Sequence, residues 1–272
     1  MEAPPATDAI AHYRRQVDAS EARVWENVLD WEHLPWLHRH SFSDLEPLSA
    51  SRTGWRVSVR SGSGGPSLEL ELETHRADGA YVARTLAGPG AGTEIWTRLR
   101  AVHDRATEID VAFHVPGIPA EARADVGREF VQLYTRLWDE DEAMMQRRQN
   151  VLDEGLLGAR PAPGPPILLG PAGELRRRAP LVVDAGGVAL RIVVRGADLF
   201  AHSSVCPHLG GPLGEDLEDG CVRCPWHGYR FDPASGAAHG SHGLRLPFAR
   251  RIEVDPDTGE ARLLRPRVPS HR

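Results

Sequence analysis

Two short stretches, CPHLGGPL (206–213) and CPWHGYRF (224–231), constrain this chain more than anything else in it. Cys206 and His208 are two apart, fifteen residues follow, and then come Cys224 and His227, so the pattern is C-x-H-x15-C-x2-H. Two thiolates and two imidazoles on paired loops suit a metal site, and zinc tolerates such a ligand set. The surrounding residues favour a cluster instead. Gly210, Gly211, Pro225 and Gly228 shape tight loops whose backbone amides can point at sulfide and thiolate sulfurs. All three cysteines of the chain lie between 206 and 224, which points to metal chemistry before disulfides. The third, Cys221, reads as a small buried residue of a strand.

The 272 residues suffice for one large or two ordinary domains, and 41% hydrophobic content supports a buried core. A net charge of −6 argues against nucleic acid and against anionic membranes as partners. No apolar run approaches the ~20 residues of a membrane span. The opening MEAPPATDAIAHYRR lacks a charged region followed by an apolar stretch, so no secretory signal is expected and the reducing cytoplasm is the expected location.

Along the chain, DASEARVWENVLDW carries a helix start, with Asp18 as the cap and Glu21 reaching back to it. Alternating stretches then predict antiparallel strands at 55–59, 68–72, 81–86, 93–103 and 107–115, punctuated by turns at 61–65, 87–92 and 103–106. Pro119 opens a long helix over roughly 120–152, whose apolar positions keep one face. A short helix, a curved antiparallel sheet and a long closing helix make an α+β helix-grip unit, an element order that resembles the START-like superfamily. Residues 155–180 are rich in Pro and Gly and read as a semi-rigid linker on which no core is built. Short strand-like runs from 181 onward describe a small all-β domain. The expected domains are therefore 1–154, a linker at 155–180, and 181–272.

Over roughly 180–265 the motifs resemble Rieske [2Fe-2S] domains. The resemblance implies that Cys206 and Cys224 hold one iron of the cluster and His208 and His227 the other. Rieske domains of the respiratory cytochrome complexes carry an extra cysteine in each loop. Here those places hold Gly211 and Trp226, as in the ferredoxin and oxygenase subtype, which implies the lower part of the Rieske potential range.

A one-electron centre needs somewhere to send its electron, and ENVLDWEHLPWLH (26–38) supplies a candidate, E-x3-D-x2-H-x4-H. Non-haem iron takes two histidines and one carboxylate on one face, leaving positions open. Glu26, Asp30 and His33 share a helical face. Pro35 disfavours helical geometry at Leu34, and the resulting bend can bring His33 and His38 to one ion. The bland reading is that both histidines end a helix on a polar rim. The core face of the long helix passes through Asp141, where packing predicts an apolar residue. Metal ligation would offset the cost of burying that carboxylate, whereas a solvated charge run is the plainer alternative. His40, His103 and His114 read as strand or surface histidines.

This segment resembles the mononuclear-iron motif of Rieske non-haem iron oxygenases. The resemblance implies His33, His38 and Asp141 as ligands of an Fe(II) ion, and Asp30 as the acid linking a cluster histidine to an iron-ligand histidine. It also implies a ferredoxin or a flavin/NAD(P)H reductase as electron donor, O2 and a small hydrophobic or aromatic molecule as substrates, and homo-oligomers. Trp55, Val57, Leu70, Ile95, Leu99, Val111 and Phe113 are the expected pocket walls. The order of domains departs from the familiar enzymes, in which the Rieske domain comes first. Two other readings stand beside this one: a Rieske ferredoxin fused to a non-catalytic START-like ligand-binding domain, and an electron carrier whose first domain only scaffolds assembly.

Overall fold

The computed structural model describes residues 8–62, 64–240 and 243–266; Ser63 of the predicted 61–65 turn and part of the N-terminal segment read for a signal lie outside them. Two compact units divide after Gln149.

The first unit is built on seven antiparallel strands: β1 (Ala11–Val17), β2 (Phe42–Ala50), β3 (Gly54–Ser61), β4 (Ser67–His75), β5 (Ala80–Ala87), β6 (Glu94–His103) and β7 (Ala106–His114). Their order in the sheet is β1-β7-β6-β5-β4-β3-β2. Period-two alternation gives the sheet one apolar face. Register aligns Trp55 with Leu72, Leu72 with Ala83, Ala83 with Ile95 and Ile95 with Phe113, so these side chains share that face. A long helix, α3 (Arg123–Asp153), supplies Trp138 and Met145 to the same core. Antiparallel sheet and long helix together form the helix-grip, START-like arrangement.

Between β1 and β2 lie α1 (Glu21–Leu29), a single 3-10 turn (Trp31–His33) and the one-turn α2 (Leu34–Leu37). The cap of α1 is Ser20, whose side chain accepts from the Arg23 amide, and not Asp18. The Asp18 amide instead donates to Glu142 of α3 at 2.6 Å. Two buried bonds tie α1 and the residue before its cap to the sheet: Trp55 Nε1 donates to the Val28 carbonyl and Thr107 Oγ1 to that of Ala19.

The second unit begins earlier than the linker reading allows. Residues 167–178 form β8 (Ile167–Pro171) and α4 (Ala172–Arg178), and Ala172 and Leu175 are buried in its core. The segment therefore contributes packing, because two apolar side chains on one short helix suffice to dock it. Strands β9 (Leu181–Asp184), β10 (Ala189–Arg195), β11 (Asp198–Ser203) and β15 (Ala249–Arg251) form one sheet in the order β15-β11-β10-β9. A three-stranded sheet of β12 (Leu217–Glu218), β13 (Cys221–Arg223) and β14 (Arg230–Phe231) carries the second of the two motif loops. A third, β16 (Glu253–Val254) and β17 (Glu260–Leu263) beside β8, completes this small β domain. No helix among the described residues is long and apolar enough to cross a membrane.

Candidate metal centres

The two Cys-His loops are built alike. In the first, the Cys206 amide donates to the Gly211 carbonyl and the Gly210 amide returns to the Cys206 carbonyl. In the second, the Cys224 amide donates to Tyr229 and Gly228 returns to Cys224. Gly210 and Gly228, each four residues past its cysteine, have φ of 83° and 67°, a region that glycine occupies without steric cost. The proline after each cysteine needs no amide partner. Each loop thus braces itself, holding a buried cysteine at its start and a histidine two or three residues on.

The four donors sort into two pairs. His208 Nδ1 and His227 Nδ1 lie 3.4 Å apart, with the rings at 81° to each other and Tyr229 stacked beside His227. The Cys206 thiol hydrogen-bonds Cys224; this holds Cys206 well above, and Cys224 well below, the ordinary thiol range. An imidazole pair facing a thiol pair is the division a two-iron cluster needs. Gly211 leaves room beside the thiol pair: a Cβ there would stand 2.7 Å from Cys224 Sγ and 3.0 Å from the Trp226 ring. Positions 211 and 226 are therefore neighbours. Cys221 is buried, with its Sγ 3.3 Å from His239 Nε2.

In the first unit, His33, His38 and Asp141 each present one donor atom within 4.8 Å of the others, and no other such group of three occurs among the described residues. The bend that allows this differs from the one expected. Leu34 is helical (φ −49°, ψ −50°), with Pro35 accommodated in the first turn of α2, where its missing amide costs nothing. The chain turns instead at Asp30 (φ −88°, ψ 82°), which ends α1, and at His38 (φ −98°, ψ 34°), which ends α2. Glu26 does not join the group; it pairs with Arg23 and with Arg148 of α3.

Both imidazoles turn Nε2 inward. His38 Nε2 is 3.1 Å and His33 Nε2 3.5 Å from Asp141 Oδ1, which also accepts from Asn27 Nδ2 at 3.0 Å. The outer nitrogens face carboxylates: His38 Nδ1 is 2.6 Å from Glu140 Oε2, and His33 Nδ1 is 3.6 Å from Asp30 Oδ2. Burial alone would lower the His38 pKa, but Asp141 and then Glu140 outweigh it, and the value is raised. Burial would raise that of Asp141, yet His38, His33 and Asn27 hold it below the usual carboxylate range. Two imidazole nitrogens and one carboxylate oxygen brought this close are donor types that non-haem Fe(II) sites use. The carboxylate behind His38 fixes which of its nitrogens is free to bind, whereas His33 Nδ1 is buried without a hydrogen bond. Neither Asn27 nor Glu140 reads as a site residue in the sequence; Glu140 is about one-third exposed, yet its oxygen reaches His38.

The triad opens on a cavity of about 290 Å³ between sheet and α3. Of the expected walls, Trp55, Leu70 and Ile95 line it; Val57, Leu99, Val111 and Phe113 are packed in the core instead.

Residues 166–245 match the family model of the Rieske [2Fe-2S] domain, so the chain carries such a domain, and the domain implies the cluster. Among curated proteins, apoptosis-inducing factor 3 of Mus musculus and of Homo sapiens are each 30% identical over 76 residues. That alignment covers 28% of this chain and 13% of theirs. Among solved structures, the ferredoxin of carbazole 1,9a-dioxygenase from Nocardioides aromaticivorans IC177 is 24% identical, with a TM-score of 0.31, covering 38% of this chain and all of that one. The Zhui aromatase/cyclase of Streptomyces sp. R1128 is 15% identical with a TM-score of 0.39, covering 51% of this chain and 93% of that one. A START superfamily protein of Mycobacterium smegmatis is 14% identical with a TM-score of 0.41, covering 50% and 96%.

Proposed function

We propose that this chain is a Rieske-type oxygenase that oxidises a small hydrophobic or aromatic molecule, by hydroxylation or demethylation. The convergence of His33, His38 and Asp141 on the lining of a largely apolar cavity carries the reading. Cys206, His208, Cys224 and His227 are the proposed cluster ligands, and His33, His38 and Asp141 those of a mononuclear Fe(II). When bound, the cluster supplies single electrons, drawn from a ferredoxin or a flavin/NAD(P)H reductase, and the ferrous ion supplies O2 activation.

The remaining work falls to the chain itself. Glu140 orients the His38 imidazole from behind, and Asp30, 3.6 Å from His33 Nδ1, is the proposed link for the electron. Asn27 holds one oxygen of Asp141 in place. Trp55, Leu70, Leu72, Ile95 and Leu137 exclude water and grip an apolar substrate by its faces. Tyr81 and Tyr134, whose pKa values burial raises, remain neutral phenols beside the triad.

The same cavity also supports the second reading, a ligand-binding START-like domain fused to a Rieske ferredoxin. Iron content separates the two. Anaerobically reconstituted protein is expected to hold about three irons per chain, and His33→Ala about two, with the cluster spectrum intact. Two irons in the unaltered chain, or three in the variant, would sink the oxygenase reading.

A further inference from the structure

The cavity has two unlike ends. Asp141 and Phe130 both line it, eleven residues apart on α3, a span of roughly 16 Å at the helical rise. Phe130 packs on Phe113 at 5.3 Å, Phe113 pairs with Ile95, and Thr93 stands two residues from Ile95 on the same face. Thr93 therefore lies at the end remote from the triad. On β5 the same polarity holds: Tyr81, whose phenol feels the Asp141 charge, is four residues, or about 13 Å, from Thr85, which hydrogen-bonds Thr93 across the strands.

Thr93 is 3% exposed and lines the cavity, yet its Oγ1 is buried without a hydrogen-bond partner. A buried hydroxyl left unpaired costs about 1–3 kcal/mol. Gly90, which also lines the cavity, sits against this hydroxyl: a Cβ there would stand 3.5 Å from Oγ1. Between the two ends the lining is predominantly aliphatic and aromatic.

Resting on the oxygenase reading for what happens at the triad, we propose that Thr93 is the specificity anchor of this cavity. Its ligand is a flat, elongated, mostly apolar molecule of two or three fused rings bearing one hydroxyl or carbonyl. That polar group bonds Thr93 Oγ1, and the opposite end of the molecule faces His33, His38 and Asp141. The hydroxyl of threonine donates to a carbonyl and accepts from a phenol, so either group satisfies it.

Equilibrium dialysis of the full chain with naphthalene and with 2-naphthol tests the anchor. The unaltered protein is expected to hold 2-naphthol about five- to tenfold tighter. Thr93→Val should bring that ratio to about one with naphthalene affinity unchanged, and Thr93→Ser should keep it. No preference in the unaltered chain, or a preference that survives Thr93→Val, overturns the proposal. Orientation is read with Mn(II) at the triad: the protons of the ring remote from the hydroxyl should broaden most. Strongest broadening beside the hydroxyl, or no Mn(II) binding at all, overturns the orientation. Failure to bind Mn(II) together with a preference that Thr93→Val abolishes would sink the oxygenase reading and leave the anchor standing.

Discussion

His38 and Glu140 are 102 residues apart in sequence and 2.6 Å apart in space, Nδ1 to Oε2. The contact fixes His38 with its other nitrogen toward Asp141, the orientation a metal ligand requires. Glu140→Gln keeps the shape but removes the charge that strengthens this hydrogen bond. Affinity for Fe(II) is expected to drop about tenfold, the lower end of what such supporting residues contribute, measured by competition with a chelator. Unchanged affinity would make Glu140 a bystander.

Asp30→Asn addresses the other imidazole. Iron content is expected to stay at about three per chain, while single-turnover oxidation of the reduced cluster slows ten- to a hundredfold. Rapid oxidation in that variant would remove Asp30 from the electron's route.

Gly211→Ala introduces a carbon where only 2.7 Å separates it from Cys224 Sγ. Neither that buried sulfur nor the Trp226 ring behind it is the loose end of a flexible chain. Overpacking of this kind costs about 1–3 kcal/mol. The variant is expected to lose most of its cluster absorbance on reconstitution while Asp141 and the two histidines of the first unit still bind one iron.

His202 offers a pH test. It is fully buried on β11, its Nε2 has no partner, and burial lowers its pKa to about 4. In the unfolded chain the group titrates near 6.5. Between these values the unfolded state binds a proton that the folded state refuses, so stability falls as pH drops from about 6.5 and levels off below about 4. The loss amounts to about 3 kcal/mol. Replacement by Leu is expected to flatten this part of the profile in denaturant titrations of the second unit's fluorescence.

Much of this was legible in the sequence, for physical reasons that vary by element. Strands β3 to β7 announce themselves because one face of each is buried and the other is not. Strand β1 hides because one of its inward positions is Arg15, which pairs with Asp139 and Glu142 of α3 instead of packing as an apolar side chain. Strand β2 is an edge, largely exposed and interrupted by Pro47, so it carries no alternation to read. The docked helix α4 follows a proline-rich stretch that masks it. Position 141 stands out by helical phase; Asn27 and Glu140 give no such signal, because what they do depends on who faces them across the fold.

The alternation that lines the cavity also sets how little the sheet tolerates. On β5, Tyr81, Ala83 and Thr85 line it, and Arg84 borders it as well, its guanidinium pairing with Glu71, Glu73 and Glu94. Deleting one residue within that strand would send every side chain beyond the deletion to the opposite face and break the apolar part of the wall. Insertions and losses in this half of the chain should therefore be confined to its hairpin tips.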